Sequence, residues 1–503
     1  MWLGAGLAIE AEILYLSGVF LGLPFLRRLG NIGFALSLGR LLMYDVPSDR
    51  IVSVTQSRSI HSFTPAALFQ AMLFYINRLL RPNAAYSTLA AALLASVFGA
   101  ELPVRFVGTG WIVFAIVLLE IGIRRLRAEF RFQAYALAAA GVFTNIWVHF
   151  SETQNHHWIP LGCALLCVYA LVIRLRAVQR LQEVEQKYLD FGGGAAITTL
   201  SLLLVWQVAP VHYKGFCSCA LAVALCELGA RRLPATLTRF SYVCAAIASV
   251  MVIVEATPYF SKFASSYVWI SYVGVAACLY FLAERAGKKQ YSTQVIVSST
   301  AVLFAMCVLW LILPNVAVAS AWAAVSLVLF ALGRYRDRLH ERWQAYLLIV
   351  AAVVNAWEAG LPLATLMLVC ACYLAQLIAP TKGEHFPPGW LGYVEGHPRT
   401  FWSLLGTFSL SALLWQQFPG GLLTTAWGIE GLTLLITGFP LRQRNLRLEG
   451  LALLFICILK LFLYDLRNLE TLYRILSFVA LGIILLGVSS IYTRFGEHVR
   501  RCF

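Results

Sequence analysis

The sequence predicts an all-α polytopic membrane protein of about 19 transmembrane helices, within a range of 17–20, set in parallel four-helix repeats of ~105 residues. Three observations predict it. With 60% hydrophobic and 13% charged residues and a mean hydropathy of +0.76, the chain is too apolar for a soluble globular protein. Its charges cluster between apolar runs of about 17–22 residues, the length that spans a bilayer as helix. Runs such as 196–208, 301–313 and 478–491 are apolar on nearly every face, unlike the alternating segments of a barrel. Finally, residues 1–49 reappear without a gap at 421–469, an offset of 420, or four times 105.

Taken in order, the expected spans are 3–24, 29–44, 64–80, 84–103, 106–123, 132–150, 157–174, 192–210, 214–230, 239–256, 266–284 and 292–313. They continue through 315–333, 343–360, 362–379, 400–418, 420–440, 447–465 and 474–493. Basic residues fall on alternate turns: Arg27 and Arg28; Arg124, Arg125, Arg127 and Arg131; Arg174, Arg176 and Arg180; Arg231, Arg232 and Arg239. Arg334, Arg336, Arg338 and Arg342, then Arg442, Arg444 and Arg447, and finally Arg494, Arg500 and Arg501 complete the series. Such a positive-inside bias places the N-terminus outside and the C-terminus in the cytoplasm. The net charge of +15 is therefore topogenic, and no nucleic-acid surface is expected. Glu10 and Glu12 interrupt the first apolar run, which argues against a cleaved signal peptide. The chain begins its first helix almost at once, as a truncation of a longer array would. Of the longer polar segments, 174–190 reads as a short charged amphipathic helix at the cytoplasmic surface. The Gly- and Pro-rich segment 380–400 reads as a loop.

The offset resolves into modules 1–104, 105–209, 210–314, 315–419 and 420–493, followed by a tail at 494–503. Trp111, Phe216, Trp322 and Trp427 are separated by 105, 106 and 105 residues. Gly precedes Arg by nine residues at Gly18/Arg27, Gly122/Arg131, Gly333/Arg342 and Gly438/Arg447, and by ten at Gly229/Arg239. Four spans is an even number, so successive modules keep one orientation, unlike the inverted repeats of many transporters.

The two terminal copies share charges inside otherwise apolar helices: Glu10 with Arg40, and Glu430 with Lys460. Intramembrane charge is costly and marks a polar site in the outer half of the membrane, unless the pair only fixes hairpin register or the cation snorkels. Tyr44 and Tyr464 lie four residues beyond each cation, on the same helical face, with Asp45 and Asp465 next at the outer interface. The other modules replace the acid with Phe114 or Val325 and keep a polar Thr144, Asn145 or Asn355 on the returning helix. Arg474 and Ser477, matched by Arg58 and Ser62, form a candidate outer-interface anion site or an interfacial anchor.

No Walker A loop, GxSxG or HExxH is present, so no cofactor is expected and a non-enzymatic role leads. His149, His156, His157 and His212 read as interfacial residues, and the twelve Cys as small packing residues, so no metal is expected. The sequence sets no oligomeric state.

The run Trp427…Gly438…Arg447…Gly450…Lys460…Asp465…Arg474…Ser477-Phe478…Gly482…Ser489…Tyr492 resembles a bacterial family of predicted membrane proteins, domain of unknown function 2339. The match is best over about the last 100 residues. The resemblance implies a multi-spanning bacterial inner-membrane protein in a lipid bilayer, without an established activity. Family members often carry a charged, coiled-coil-like N-terminal region that this sequence lacks. The expected role is transport, channel-like or lipid-handling. An envelope scaffold that holds partner proteins is the alternative. A transferase on lipid-linked substrates, using Asp45 or Asp465, comes third.

Overall fold

The computed structural model describes residues 2–47, 51–55, 58–151, 158–177, 183–231, 235–256, 266–286, 290–360, 362–380 and 390–461. Within 475–490 it describes 475–476, 478–480, 482–487 and 489–490, all helical. The fold is all-α and membrane-like, and divides into two compact units, Met1–Glu255 and Ala256–Phe503.

The first unit holds α1 (Trp2–Phe20), α2 (Pro24–Arg40), α3 (Thr64–Leu80), α4 (Ala84–Glu101) and α5 (Val104–Arg124). It continues with α6 (Ala128–Ser151), α7 (Trp158–Arg176), α8 (Glu183–Val208), α9 (Lys214–Arg231) and α10 (Ala235–Ala256). A two-stranded antiparallel hairpin, β1 (Ile51–Thr55) and β2 (Arg58–His61), joins α2 to α3. The second unit holds α11 (Ser266–Ala286), α12 (Tyr291–Ile312), α13 (Asn315–Tyr335), α14 (Leu339–Ala359) and α15 (Pro362–Ile378). The short α16 (Trp390–Gly396) precedes α17 (Pro398–Gln417), α18 (Gly421–Gly438) and α19 (Arg444–Lys460). Sequential helices pack as antiparallel hairpins, α5 with α6, α13 with α14 and α18 with α19 among them.

Every expected span up to 447–465 overlaps a helix. Among the described residues, eight helices are long and apolar enough to cross a membrane, lying in α4, α5, α7, α8, α9, α10, α12 and α13. Two expectations change. Among the described residues of 174–190 there is no separate surface helix: residues to Arg176 end α7 and residues from Glu183 are the first turns of α8, where Glu185 pairs with Arg131 and accepts from Tyr135 Oη at 2.7 Å. The 380–400 loop contains α16, because Glu395 is drawn under the bundle to pair with Arg342 at 2.7 Å and accept from Tyr346 Oη at 2.9 Å. Phe330, Tyr346 and Trp402 form the aromatic centre of that core.

The hairpin turns explain the Gly–Arg spacing. A Cβ on Gly122, Gly333 or Gly438 would sit 3.0, 3.0 and 3.1 Å from the backbone nitrogen of Arg131, Arg342 and Arg447, so any larger residue must push the returning helix away. Gly229 instead meets Thr238, with a Cβ 2.9 Å from its nitrogen. Nine residues separate this pair too, and Thr occupies the place expected to be held by Arg239. Each helix then ends in a Schellman turn: Arg127, Arg338 and Gln443 donate back to the Gly122, Gly333 and Gly438 carbonyls at 3.0, 2.8 and 3.0 Å. The left-handed residues of these turns are Leu126, Asp337 and Arg442.

Candidate functional site

Three sets of helices make the same side-chain contacts. Trp111, Trp322 and Trp427 each donate Nε1 to a carbonyl 16 residues earlier: Ala95, Met306 and Ser411. Gln133 donates to Ser87 at 3.0 Å, and Gln344 to Ser298 at 2.8 Å, each across 46 residues. At the same spacing in α17–α19, Ser403 Oγ donates to Glu449.

These shared contacts fix the register, and in that register the last set differs. Ser403, Thr407 and Ser411 lie at i, i+4 and i+8, on one face of α17. Thr407 donates to Glu449 Oε2 at 2.9 Å and lies 3.2 Å from the Tyr373 hydroxyl on α15. Ser411 donates to Glu430 Oε2 at 2.8 Å. Glu430 Oε1 is buried without a hydrogen-bond partner, and the residue is only 5% exposed. Both acids directly precede the closest approach of their helices: a Cβ on Gly450 would lie 2.6 Å from the Gly431 carbonyl. The equivalents of Thr407 are Ala91 and Val302; those of Ser411 are Ala95 and Met306; those of Glu430 are Phe114 and Val325.

Residues of this polar layer line two cavities. One of about 630 Å³ is lined by Thr407, Ser411, Trp427 and Glu449 with Leu404, Phe408 and Ile456. The other, about 590 Å³, is lined by Tyr373, Gln376, Glu430 and Thr433 with Leu414, Ile429 and Leu441. Ile429 is 63% and Phe408 60% exposed, so apolar side chains form the mouths.

The charges expected to pair do not. Lys460 Nζ donates to Thr424 Oγ1 at 2.7 Å and to the Gly420 carbonyl at 3.2 Å, near the start of α18. Glu430 is six residues beyond Thr424, a rise of about 9 Å, and binds Ser411 instead. In the first hairpin Glu10 is exposed; the buried carboxylate is Glu12, which accepts from Asn77 Nδ2 at 2.8 Å. A π-turn over Leu41–Asp45 replaces the expected α-helical register after Arg40. Arg40 and Asp45 both lie against Gly4: a Cβ there would be 3.2 Å from Asp45 Oδ2 and 3.8 Å from Arg40 Nε. Tyr44 is 69% exposed. Tyr464, Asp465, Arg474 and Ser477 lie outside the described residues.

Sequence reasoning passed over Glu449, Ser403, Thr407, Ser411 and Tyr373. The i, i+4, i+8 hydroxyls on α17 were the available signal. Among the described residues, no group of three or more His, Cys, Asp or Glu is placed to hold a metal ion.

Apolar helices, glycine crossings and interhelical polar contacts define an integral membrane protein of the helical class. The chain belongs to the family described as predicted membrane protein (DUF2339), whose sequence model matches residues 7–495. The likeness therefore covers nearly the whole chain, not chiefly its last 100 residues. No curated protein and no solved structure matches it.

Proposed function

We propose that this is a multi-pass inner-membrane protein with a transport, channel-like or lipid-handling role, whose C-terminal unit takes up an amphiphilic ligand from the bilayer. The observation that carries this reading is the pair of mostly apolar cavities, about 630 and 590 Å³, each lined by a carboxylate and hydroxyls. Ligand sites are of this size, mostly apolar, with a few convergent polar groups. In a membrane bundle, polar side chains facing inward mark ligand or ion paths. This moves the site proposed for Glu10, Arg40, Glu430 and Lys460 toward Glu430 and Glu449 in the second unit, with Lys460 nearer the start of α18. The recurring Trp, Gly and Gln/Ser contacts support tandem modules of about 105 residues in one orientation. The positive-inside pattern supports an outer N-terminus and a cytoplasmic C-terminus.

A phospholipid with a photoactivatable acyl chain, irradiated with the purified full chain in nanodiscs, tests the reading. Labelled peptides should concentrate in α17–α19, and Ala452→Phe, which fills the larger cavity, should reduce that labelling at least fivefold. Labelling spread evenly over all apolar helices would instead leave a scaffold role in the envelope.

A further inference from the structure

Resting on that reading, we propose that the cavity beside Glu430 selects amphiphiles with a cationic, hydrogen-bond-donating head, a primary ammonium on an alkyl chain. Glu430 carries the proposal because of what surrounds it. It is 5% exposed, it lines the cavity of about 590 Å³, and only one of its oxygens is engaged, by Ser411. The free oxygen, Oε1, is buried without a hydrogen-bond partner. No cation in the described residues reaches it, since Lys460 is directed to Thr424 and Gly420. A carboxylate in hydrocarbon with neither a cation nor a full set of donors is costly, so such residues are kept where something is to be bound.

Register sharpens the point. Three residues after the recurring tryptophan, the other two sets have Phe114 and Val325, and at the Ser411 position Ala95 and Met306. The hairpin therefore packs without an acid or its hydroxyl partner in α4–α6 and α12–α14; α17 and α18 add both. The remaining walls fit an alkyl chain. Leu377, Leu410, Leu414, Leu434 and Leu446 are apolar, whereas Tyr373, Thr433 and Gln376 give the head further polar contacts without competing positive charge. An ammonium has three donors and no acceptor, so it complements a carboxylate oxygen and neighbouring hydroxyls. A carboxylate head would face like charge in a water-poor cavity.

The test uses three probes with one diazirine-bearing dodecyl chain, ending in an amine, an alcohol or a carboxylate. Each is irradiated with the purified full chain in phosphatidylcholine nanodiscs at pH 7, and labelled residues are mapped by mass spectrometry. The amine should label the Leu414–Leu441 walls at least tenfold more than either analogue. Glu430→Gln should bring amine labelling down to the level of the alcohol, whereas Glu120→Gln, on α5, should leave it unchanged. The head-group series on the unaltered chain needs no variant, so misfolding of Glu430→Gln would not blunt it. Equal labelling by all three probes overturns the ammonium assignment and leaves the apolar cavity standing. Absence of labelling from both cavities by any probe overturns the reading on which it rests.

Discussion

The helices α4–α6 and α17–α19 are built on the same contacts and differ in what fills them. In each, a tryptophan ties the second helix to the first, a glycine lets the hairpin close on the residue nine positions later, and a polar side chain on the third helix meets a serine on the first. Around that frame α4–α6 places Ala91, Ala95, Phe114 and Gln133, and α17–α19 places Thr407, Ser411, Glu430 and Glu449. Stability rests on what the two share; chemistry is expected where they part.

The largest expected effect probes a second device, the Arg–Glu–Tyr cluster that α6 makes with α8 and α14 makes with α16. Glu395 lies at 5% side-chain exposure against Arg342 at 2%, so Glu395→Ala takes the nearer carboxylate from a buried guanidinium that keeps Asp337 at 3.2 Å, and should cost about 3 kcal/mol in reversible unfolding from mixed micelles. Glu185 and Arg131 are more open, at 12% and 17%, and Glu185→Ala should cost about 1–2 kcal/mol. Equal losses would mean that exposure does not separate the two clusters. Next come the crossings. A valine at Gly122 or Gly438 must push aside the backbone of Arg131 or Arg447 and should cost about 1–3 kcal/mol at either place. If Gly122→Val destabilises and Gly438→Val does not, the hairpins are not equivalent.

Exchange of the amide and the acid addresses the difference itself. Gln133 and Gln344 show that an amide can hold the serine, so Glu449→Gln should keep unfolding within about 1 kcal/mol of the parent chain and alter only ligand labelling. The reciprocal Gln344→Glu is expected to cost about 1–3 kcal/mol, because Val302 stands where Thr407 supplies the second donor to Glu449. A Glu449→Gln protein that fails to fold would assign the carboxylate to structure.

These contrasts explain how far the sequence could be read. Helix positions follow from apolar length, which is local, and nearly all were legible. The Gly–Arg period was legible as spacing, but its cause, a backbone contact with a Schellman turn, needed the packed hairpin. At Gly229 the pattern was misassigned to Arg239, because the contact selects a backbone nitrogen and tolerates Thr238 above it. Glu430 was found because charge inside an apolar run stands out. Glu449 was not: five residues into a helix that begins with Arg444, it reads as one more charge near a basic turn. Its burial depends on which face of α17 it meets. The Glu430–Lys460 pairing failed for a related reason. Depth along a helix sets which groups are level, whereas azimuth sets which ones touch, and Lys460 turns toward the start of α18.

The smallest effect is expected at the turn residue that the hairpins treat differently. Residue 22 is glycine at φ 73°, and the corresponding Leu126 and Asp337 adopt φ 52° with a Cβ that this region disfavours. The conformation is imposed by the helix-ending bonds around it, Leu126 N to the Ile123 carbonyl at 3.3 Å and Arg127 N to Gly122 at 3.0 Å, which glycine would retain. Leu126 is 63% exposed, so little packing is lost with its side chain. Leu126→Gly should therefore stabilise the chain, by about 0.5–1 kcal/mol after the extra flexibility of glycine in the unfolded chain is counted, whereas Asp337→Gly also removes the carboxylate that accepts from Arg342 Nη1 at 3.2 Å and should not gain. Gly22→Ala should destabilise by a similar amount. Thermal unfolding followed by tryptophan fluorescence in detergent resolves the signs. A stabilising Gly22→Ala would show that the first hairpin does not use the turn that closes the other three.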